Sequence, residues 1–263
     1  MKRKGARLGQ HFLKNPHYAK MLAAAAGAKL GETVLEIGPG TGALTKELLA
    51  SGAQVIAIEK DEVLACDLEN IFPTEIREGR LRVVSGDVRD FKPENHGLSA
   101  GAYILAANIP YYITGEIIRM FLETETQPKA MALLIQKEVA DRIISEKESI
   151  LSLSVKVYGT PKIIARVSRG NFSPPPSVDS AILLIANISK KNFVSVNEQK
   201  FFEVVRAGFA SKRKMLANNL SVKFGKEKAQ GAFSALKLDV KTRAENLPLS
   251  EWLSLAKILS GEN

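Results

Sequence analysis

Apolar residues recur along the first 150 positions in short runs separated by turn signals. Thr33-Val34-Leu35-Glu36-Ile37 is one such run, ending in glycines, and reads as a buried strand. Gln54 to Glu59, Leu81 to Ser85, Tyr103 to Ala107 and Ala130 to Ile135 repeat the pattern as a second to fifth strand. Helical stretches lie between most of them. Leu44, Leu48 and Leu49 share one helical face that Gly52 ends, and Asn15-Pro16 supplies an N-cap followed by proline at the first helical position. This alternation predicts βαβ units and a parallel sheet. After about residue 150 the pattern changes. Lys162 to Val167 and Val178 to Ile188 are strand-like, with Pro174-Pro175-Pro176 between them, and predict an antiparallel edge on that sheet. From Glu198 onward the pattern is helical. A boundary at Lys190-Lys191-Asn192 predicts one domain over 1–190 and a small helical domain over 191–263.

Charge changes the picture more than composition does. Residues 1–20 carry six Lys/Arg, among them Lys2, Arg3, Lys4 and Arg7, and no acid; 21–155 are net −7; 156–191 and 192–263 are each net +5. Positive charge gathered in the flanks of a mildly acidic centre favours a polyanionic partner, RNA or DNA. With Cys66 as the single cysteine, no intramolecular disulfide can form, and a reducing cytoplasm is expected. The basic start is not followed directly by an apolar core, since Met21 to Ala28 is short, alanine-rich and closed by Lys29. No run of about 18 apolar residues marks a membrane span.

The candidate chemistry sits at strand ends. Glu36-Ile37-Gly38-Pro39-Gly40-Thr41-Gly42 follows the first strand and opens a helix. A dinucleotide site would prefer G-x-G-x-x-G. Here the third glycine comes one residue early and an acid precedes the set, which resembles the first motif of Rossmann-like methyltransferases. Such a loop packs against an amino acid and a ribose. Glu59, followed by Lys60, closes the second strand 21 positions after Gly38, where a carboxylate can accept from both ribose hydroxyls. Asp87, followed by Val88, ends the third, where a carboxylate can receive an adenine amine. Any one of these is as readily an ordinary turn residue. The three in order, each at a strand's C-terminal end, point to a nucleoside-type ligand.

Asn108-Ile109-Pro110-Tyr111 follows the fourth strand and matches the N-[LI]-P-[YF] motif of methyltransferases acting on the amino group of adenine. The N6 lone pair of adenine is delocalised into its ring. A carbonyl acceptor, from the Asn108 side chain helped by the Ile109 backbone, can draw on the N6 hydrogens and free that lone pair for attack on a methyl group. Pro110 fixes the turn without adding a competing N–H, and Tyr111 can stack on an extruded base. No metal site is expected.

Further segments carry a specific resemblance: Leu8-Gly9-Gln10-His11-Phe12-Leu13, Gln136-Lys137-Glu138-Val139, Phe172 through Pro174-Pro175-Pro176 to Asp179-Ser180, and Arg243-Ala244-Glu245-Asn246-Leu247. With the glycine loop and N-I-P-Y, they run in order through almost the whole chain, which resembles the KsgA/Dim1 family of rRNA adenine N6,N6-dimethyltransferases. The resemblance implies an α/β fold: a Rossmann-like class I methyltransferase sheet, mostly parallel with an antiparallel edge, and a small C-terminal helical domain. It implies S-adenosylmethionine as cofactor, held by His11, Leu13, Gly38, Gly40, Glu59, Lys60, Asp87, Val88 and Asn108. Asn108 and Tyr111 would handle the base, with Phe172 stacking on its other face. Phe209, Lys212, Arg213 and Lys214 would form a basic helical segment that meets RNA. The implied substrate is two adjacent adenines in a hairpin near the 3′ end of 16S rRNA, in the immature small subunit, acted on by a monomer. The family usually shows Tyr-Gly before Leu-Ser-Val, and Ser149 to Val155 lacks that pair. The alternatives are a large-subunit methyltransferase of the antibiotic-resistance type, which the Phe172–Ser180 and Arg243–Leu247 segments fit less well, and a non-catalytic assembly factor on the same fold.

Overall fold

The computed structural model describes residues 11–261; Lys2, Arg3, Lys4, Arg7 and the Leu8-Gly9-Gln10 part of the N-terminal motif lie outside them. In chain order the elements are β1 (Phe12–Leu13), α1 (Pro16–Ala26), β2 (Thr33–Ile37), α2 (Ala43–Ala50), β3 (Gln54–Glu59), α3 (Glu62–Ile71), α4 (Pro73–Arg77), β4 (Leu81–Ser85) and β5 (Tyr103–Asn108). Next come α5 (Thr114–Glu123), β6 (Ala130–Gln136), α6 (Lys137–Ile144), α7 (Ile150–Lys156), β7 (Thr160–Val167), β8 (Phe172–Ser173) and β9 (Ser180–Ala186). Four helices follow: α8 (Glu198–Gly208), α9 (Leu216–Phe224), α10 (Lys226–Ala235) and α11 (Leu249–Ser260). The chain divides into two compact units. One runs to Asp141 and takes in Gly159–Ile188, and the other holds Arg142–Tyr158 and everything from Ser189.

Among the described residues of the first unit, seven strands form one sheet in the order β4-β3-β2-β5-β6-β9-β7. The pairs from β4 to β6 are parallel, whereas β9 runs antiparallel to both β6 and β7. The apolar runs explain the parallel part. Val34, Leu35, Ile56, Ala57, Ile104, Leu105, Met131 and Leu133 are all buried, as strands covered on both faces must be. Helix α1 lies against β5, β6 and β9 with Ala19, Leu22, Ala23 and Ala26 inward, the alanines allowing a close approach. Its start is as the sequence predicts: Asn15 accepts from the His17 N–H, and Pro16 takes the first position. Glu36 is the exception in this core. It is 1% exposed in the middle of a buried strand, among apolar neighbours.

In the second unit, Phe193, Phe201, Phe202 and Tyr158 pack ring against ring. Fully buried Trp252 stacks on Phe209 with ring centroids 5.5 Å apart. The division expected at Lys190-Lys191-Asn192 does not account for Arg142–Tyr158. The Glu148 N–H donates to the Glu245 carbonyl at 2.7 Å, and the Asn192 side chain donates to the Val157 carbonyl at 2.6 Å. The segment lacking the Tyr-Gly pair has its own solution: Ser149 and Ser152 cap α7 reciprocally, and the Ser152 hydroxyl donates to Glu148.

Gly208 marks how tightly this unit is filled. A Cβ there would fall 2.7 Å from Leu216 Cδ1 and closer still to the Trp252 ring. Gly208→Ala is therefore expected to destabilise the second unit by about 1–3 kcal/mol, measured by urea unfolding followed through Trp252 fluorescence. An unchanged midpoint would mean that the helix α8–Trp252 contact has slack.

Candidate functional site

The parallel register sets where the polar groups stand. Ile37 pairs with Ile58 and with Ala107, and Glu59 pairs with Ser85, so β2, β3, β4 and β5 end side by side. The strand order reverses between β2 and β5, the place where open α/β sheets leave a crevice. Two adjoining clefts open there, both shallow and open to solvent. The first is bordered by Gly38, Glu59, Lys60, Asp87, Val88 and Arg89. The second is bordered by His11, Gly38, Gly40, Asn108 and Tyr111. Gly38 and Pro110 belong to both.

The glycine loop is shaped for close approach. Gly38 has φ +64° and open space where a side chain would stand, so its backbone faces the cleft bare. At Gly40, φ +57°, a Cβ would fall 2.9 Å from the Phe12 ring, so β1 packs directly on the loop.

Two carboxylates line this edge, a third is buried within β2, and their hydrogen bonds differ. Glu59, 2% exposed, accepts from Gly40 N–H at one oxygen and Asp61 N–H at the other, both at 3.0 Å. A carboxylate offers about four lone-pair positions, so acceptor capacity remains on both oxygens. Burial raises its pKa, and the N–H groups of Asp61, Gly40 and Lys60 pull it partly back. Asp87 is filled. Oδ1 accepts from the Arg89 N–H and Arg89 Nε, both at 3.0 Å, and Oδ2 from Arg89 Nη2 at 2.5 Å and Lys60 Nζ at 2.9 Å. These bonds, the Arg89 side chain's first, hold its carboxyl well below the usual range. Asp87 can take a further donor only where Arg89 or Lys60 lets go. Glu36 is the reverse case, with neither carboxylate oxygen hydrogen-bonded in a fully buried site. Burial pushes its carboxyl up to about 8, and Thr45 only partly offsets this.

Asn108 is oriented by the chain's N-terminal segment. Its Nδ2 donates to the His11 carbonyl at 3.1 Å. A carbonyl only accepts, so the amide nitrogen must face His11 and Oδ1 is the end turned elsewhere. His11 is itself fixed: Phe12–Leu13 pairs antiparallel with Phe172–Ser173, and His11 Nδ1 meets the Pro174 carbonyl at 2.8 Å. The Ser173–Pro174 peptide is cis. The Tyr111 hydroxyl meets Ser180 Oγ at 2.7 Å, and its ring lies 5.7 Å from that of His11.

The structure thus brings His11, Gly38, Gly40, Glu59, Lys60, Asp87, Val88, Asn108 and Tyr111 to the clefts. Leu13 and Phe172 do not line them. Phe172 is 1% exposed within the main core, with Leu13 packed against that core. The expectation that Phe172 offers a face to a base is not met in this arrangement; its ring is buried in the core. Lys212, Arg213 and Lys214 are exposed in a turn between α8 and α9, not in a helix. The buried Asn219 amide takes the Gly208 and Ser211 carbonyls, where α8 gives out. Arg89, Tyr112, Ile113 and Ser180 were not singled out from sequence. An arginine two residues after a strand-end aspartate is the one local signal that could have been noticed.

The residues fit S-adenosylmethionine. A bare glycine backbone and a carboxylate with acceptor capacity for a diol stand at one crevice. Among the described residues no cluster of His, Cys, Asp or Glu could hold a metal, and no helix is long and apolar enough to cross a membrane.

The family model for ribosomal RNA adenine dimethylase matches residues 1–260. The ribosomal RNA small subunit methyltransferase A of Dehalococcoides mccartyi (strain CBDB1) is 40% identical over 265 residues, covering 98% of this chain and 89% of that protein. Among solved structures, a dimethyladenosine transferase from Plasmodium falciparum aligns with a TM-score of 0.76 and 27% identity over 93% of this chain and 96% of that one. The 23S rRNA methyltransferase ErmE shares the fold, with a TM-score of 0.74, 23% identity and coverage of 95% and 99%.

Glu36 makes stability depend on pH. Unfolded, its carboxyl releases its proton near 4.5; folded, it keeps the proton to about 8. Between these values the folded state binds more protons, so stability falls as pH rises through that window and levels off above it. The steepest fall is about 1.4 kcal/mol per pH unit. Urea unfolding at several pH values should show this decline in the parent and a flatter profile in Glu36→Gln. Parallel profiles would show that Glu36 is ionised in the folded protein.

Proposed function

The chain belongs to the ribosomal RNA adenine dimethylase family and is an S-adenosylmethionine-dependent enzyme of small-subunit rRNA; on that premise we propose its exact target, its setting and how its side chains divide the work. Its target is the N6 amine of two adjacent adenines in a hairpin near the 3′ end of 16S rRNA. The protein acts as a monomer, in the cytoplasm, on the immature small subunit.

When bound, S-adenosylmethionine supplies an electrophilic methyl group. Gly38, Gly40, Val88 and the carboxylate of Glu59 would hold it, with Glu59 accepting from the ribose hydroxyls. Asp87 would take the adenine amine as Arg89 swings off. The target adenine, extruded from its hairpin, stacks on Tyr111. Asn108 Oδ1 accepts from an N6 hydrogen, which pulls the nitrogen toward a pyramidal shape and localises its lone pair. The side chain is neutral and takes no proton; the proton that N6 sheds on methylation passes to water. The Asn108 amide stabilises the positive charge that grows on N6 during attack, as a preorganised dipole does. The observation that carries this reading is the Asn108 amide fixed by the His11 carbonyl beside Tyr111. The exposed turn Lys212-Arg213-Lys214 supplies phosphate contacts to the RNA.

Asn108→Ala removes the acceptor and leaves the basic turn intact. Affinity for small-subunit particles should change little, while single-turnover transfer of labelled methyl to particles lacking the modification should fall by about 10²–10³-fold. The parent's digested product should be dimethyladenosine. If the parent transfers no methyl yet binds immature particles tightly, the protein is an assembly factor instead.

Freeing Asp87 should help the cofactor. Arg89→Ala is expected to tighten S-adenosylmethionine binding by roughly two- to fivefold, the value of an exposed ion pair that no longer has to break. Calorimetric titration measures it; weaker binding would place Arg89 on the ligand instead of in its way.

A further inference from the structure

We propose that Ser180 is a positioning residue for the methyl transfer, holding the Tyr111 ring through its hydroxyl so that the base-stacking face is set before RNA arrives. The inference rests on the proposed role of Tyr111 and adds what orients it.

Tyr111 opens a short turn immediately after the Asn-Ile-Pro segment, so its backbone alone leaves the ring free to rotate about two side-chain bonds. Its hydroxyl meets Ser180 Oγ at 2.7 Å. Ser180 is a rigid partner: it is fully buried, begins β9, and pairs with Gln136 of β6 on one side and Val167 of β7 on the other. His11, whose imidazole is tied to the Pro174 carbonyl, lies with its ring tilted 30° to that of Tyr111 and 5.7 Å from it. The ring is therefore held at its tip by the sheet and flanked by a fixed neighbour. A phenol is protonated at neutral pH, and burial raises its pKa further, with the Ser180 bond lowering it in part and Asp179 raising it, so the tether keeps its proton.

Fixing the ring in advance removes the rotamer entropy that would otherwise be lost when the base stacks. The stacked base presents N6 to Asn108, so the gain falls on the reacting geometry. It does not fall on RNA affinity, which phosphate contacts dominate. This also gives the Phe172–Ser180 segment a working part: Phe172 lies in the core, and the residue that reaches the site is the last of the segment.

The test is a double-mutant cycle of Ser180→Ala, Tyr111→Phe and the pair, on the full chain. Single-turnover methyl transfer is measured at saturating S-adenosylmethionine and varied concentrations of unmodified small-subunit particles. Each single variant should lower the saturated rate by roughly 3–10-fold, the value of one hydrogen bond. The double variant should be no slower than either. The half-saturating particle concentration, S-adenosylmethionine affinity and melting temperature should stay near the parent's, whereas a merely structural serine would move the last two. A Ser180→Ala rate equal to the parent's, or a double variant slower by the product of the single effects, overturns the tether. Should Ser180→Ala fold poorly, Tyr111→Phe decides alone: it deletes only the other atom of the bond, and a parental rate there rejects the proposal. A parent that transfers no methyl would overturn the underlying functional reading, so the two failures are distinguishable.

Discussion

The register of β2 between β3 and β5 is the constraint on which the site depends. It brings Glu59, Asp87 and Asn108 to one edge, at or just beyond the ends of three separate strands. Side chains alternate along a strand, so a slip of one residue on β5 would put Ala107 or Ile109 where Asn108 belongs. No single hydrogen bond prevents that slip. The close packing of the strands' buried side chains does, since β2, β3, β5 and β6 are covered on both faces. The core therefore acts as the ruler for the chemistry. Glu36 shows what this tolerates: a charged residue type in the centre of the ruler, kept neutral by its surroundings.

Chemically identical groups acquire different capacities here, according to how many donors stand near them. Glu59 has two backbone donors and keeps capacity for a diol; Asp87 accepts four hydrogen bonds and keeps no capacity until a cation leaves; Glu36, with only Thr45 near it as a donor and no partner within hydrogen-bonding distance, holds its proton. Formal charge does not separate the three. The count of filled lone pairs does, and it ranks them as acceptor, gated acceptor and latent acceptor.

Much of this was legible in the sequence because it is local. The periodicity of β2 to β6, the Asn15-Pro16 helix start and the strand-end positions of Glu59, Asp87 and Asn108 all follow from a few neighbouring residues, and the helical tract begins at Glu198 as expected. What was missed depends on distant partners or on side-chain direction. Ser180 acts on a tyrosine 69 positions away. Phe172 stands in a recognisable motif, but its inward face is fixed only by pairing with Leu13. The Lys212–Lys214 turn is flanked by helical pattern on both sides, and the carbonyls that end α8 are claimed by Asn219 from the following helix. Arg142–Tyr158 belongs with the later helices through bonds to Asn192 and Glu245, which no periodicity encodes.

The two-residue ribbon of β1 and β8 has a consequence in time. His11 reaches Pro174 across 163 positions and Asn15 reaches Asn171 across 156, while Asn108 takes its orientation from the His11 carbonyl. Closing so long a loop is entropically expensive and comes late in folding, after the local βαβ units can form. A chain emerging during synthesis can therefore assemble the glycine loop and the strand-end carboxylates well before Asn108 is aimed. Competence for chemistry is the last property the first unit gains, and the first it loses when the ribbon opens.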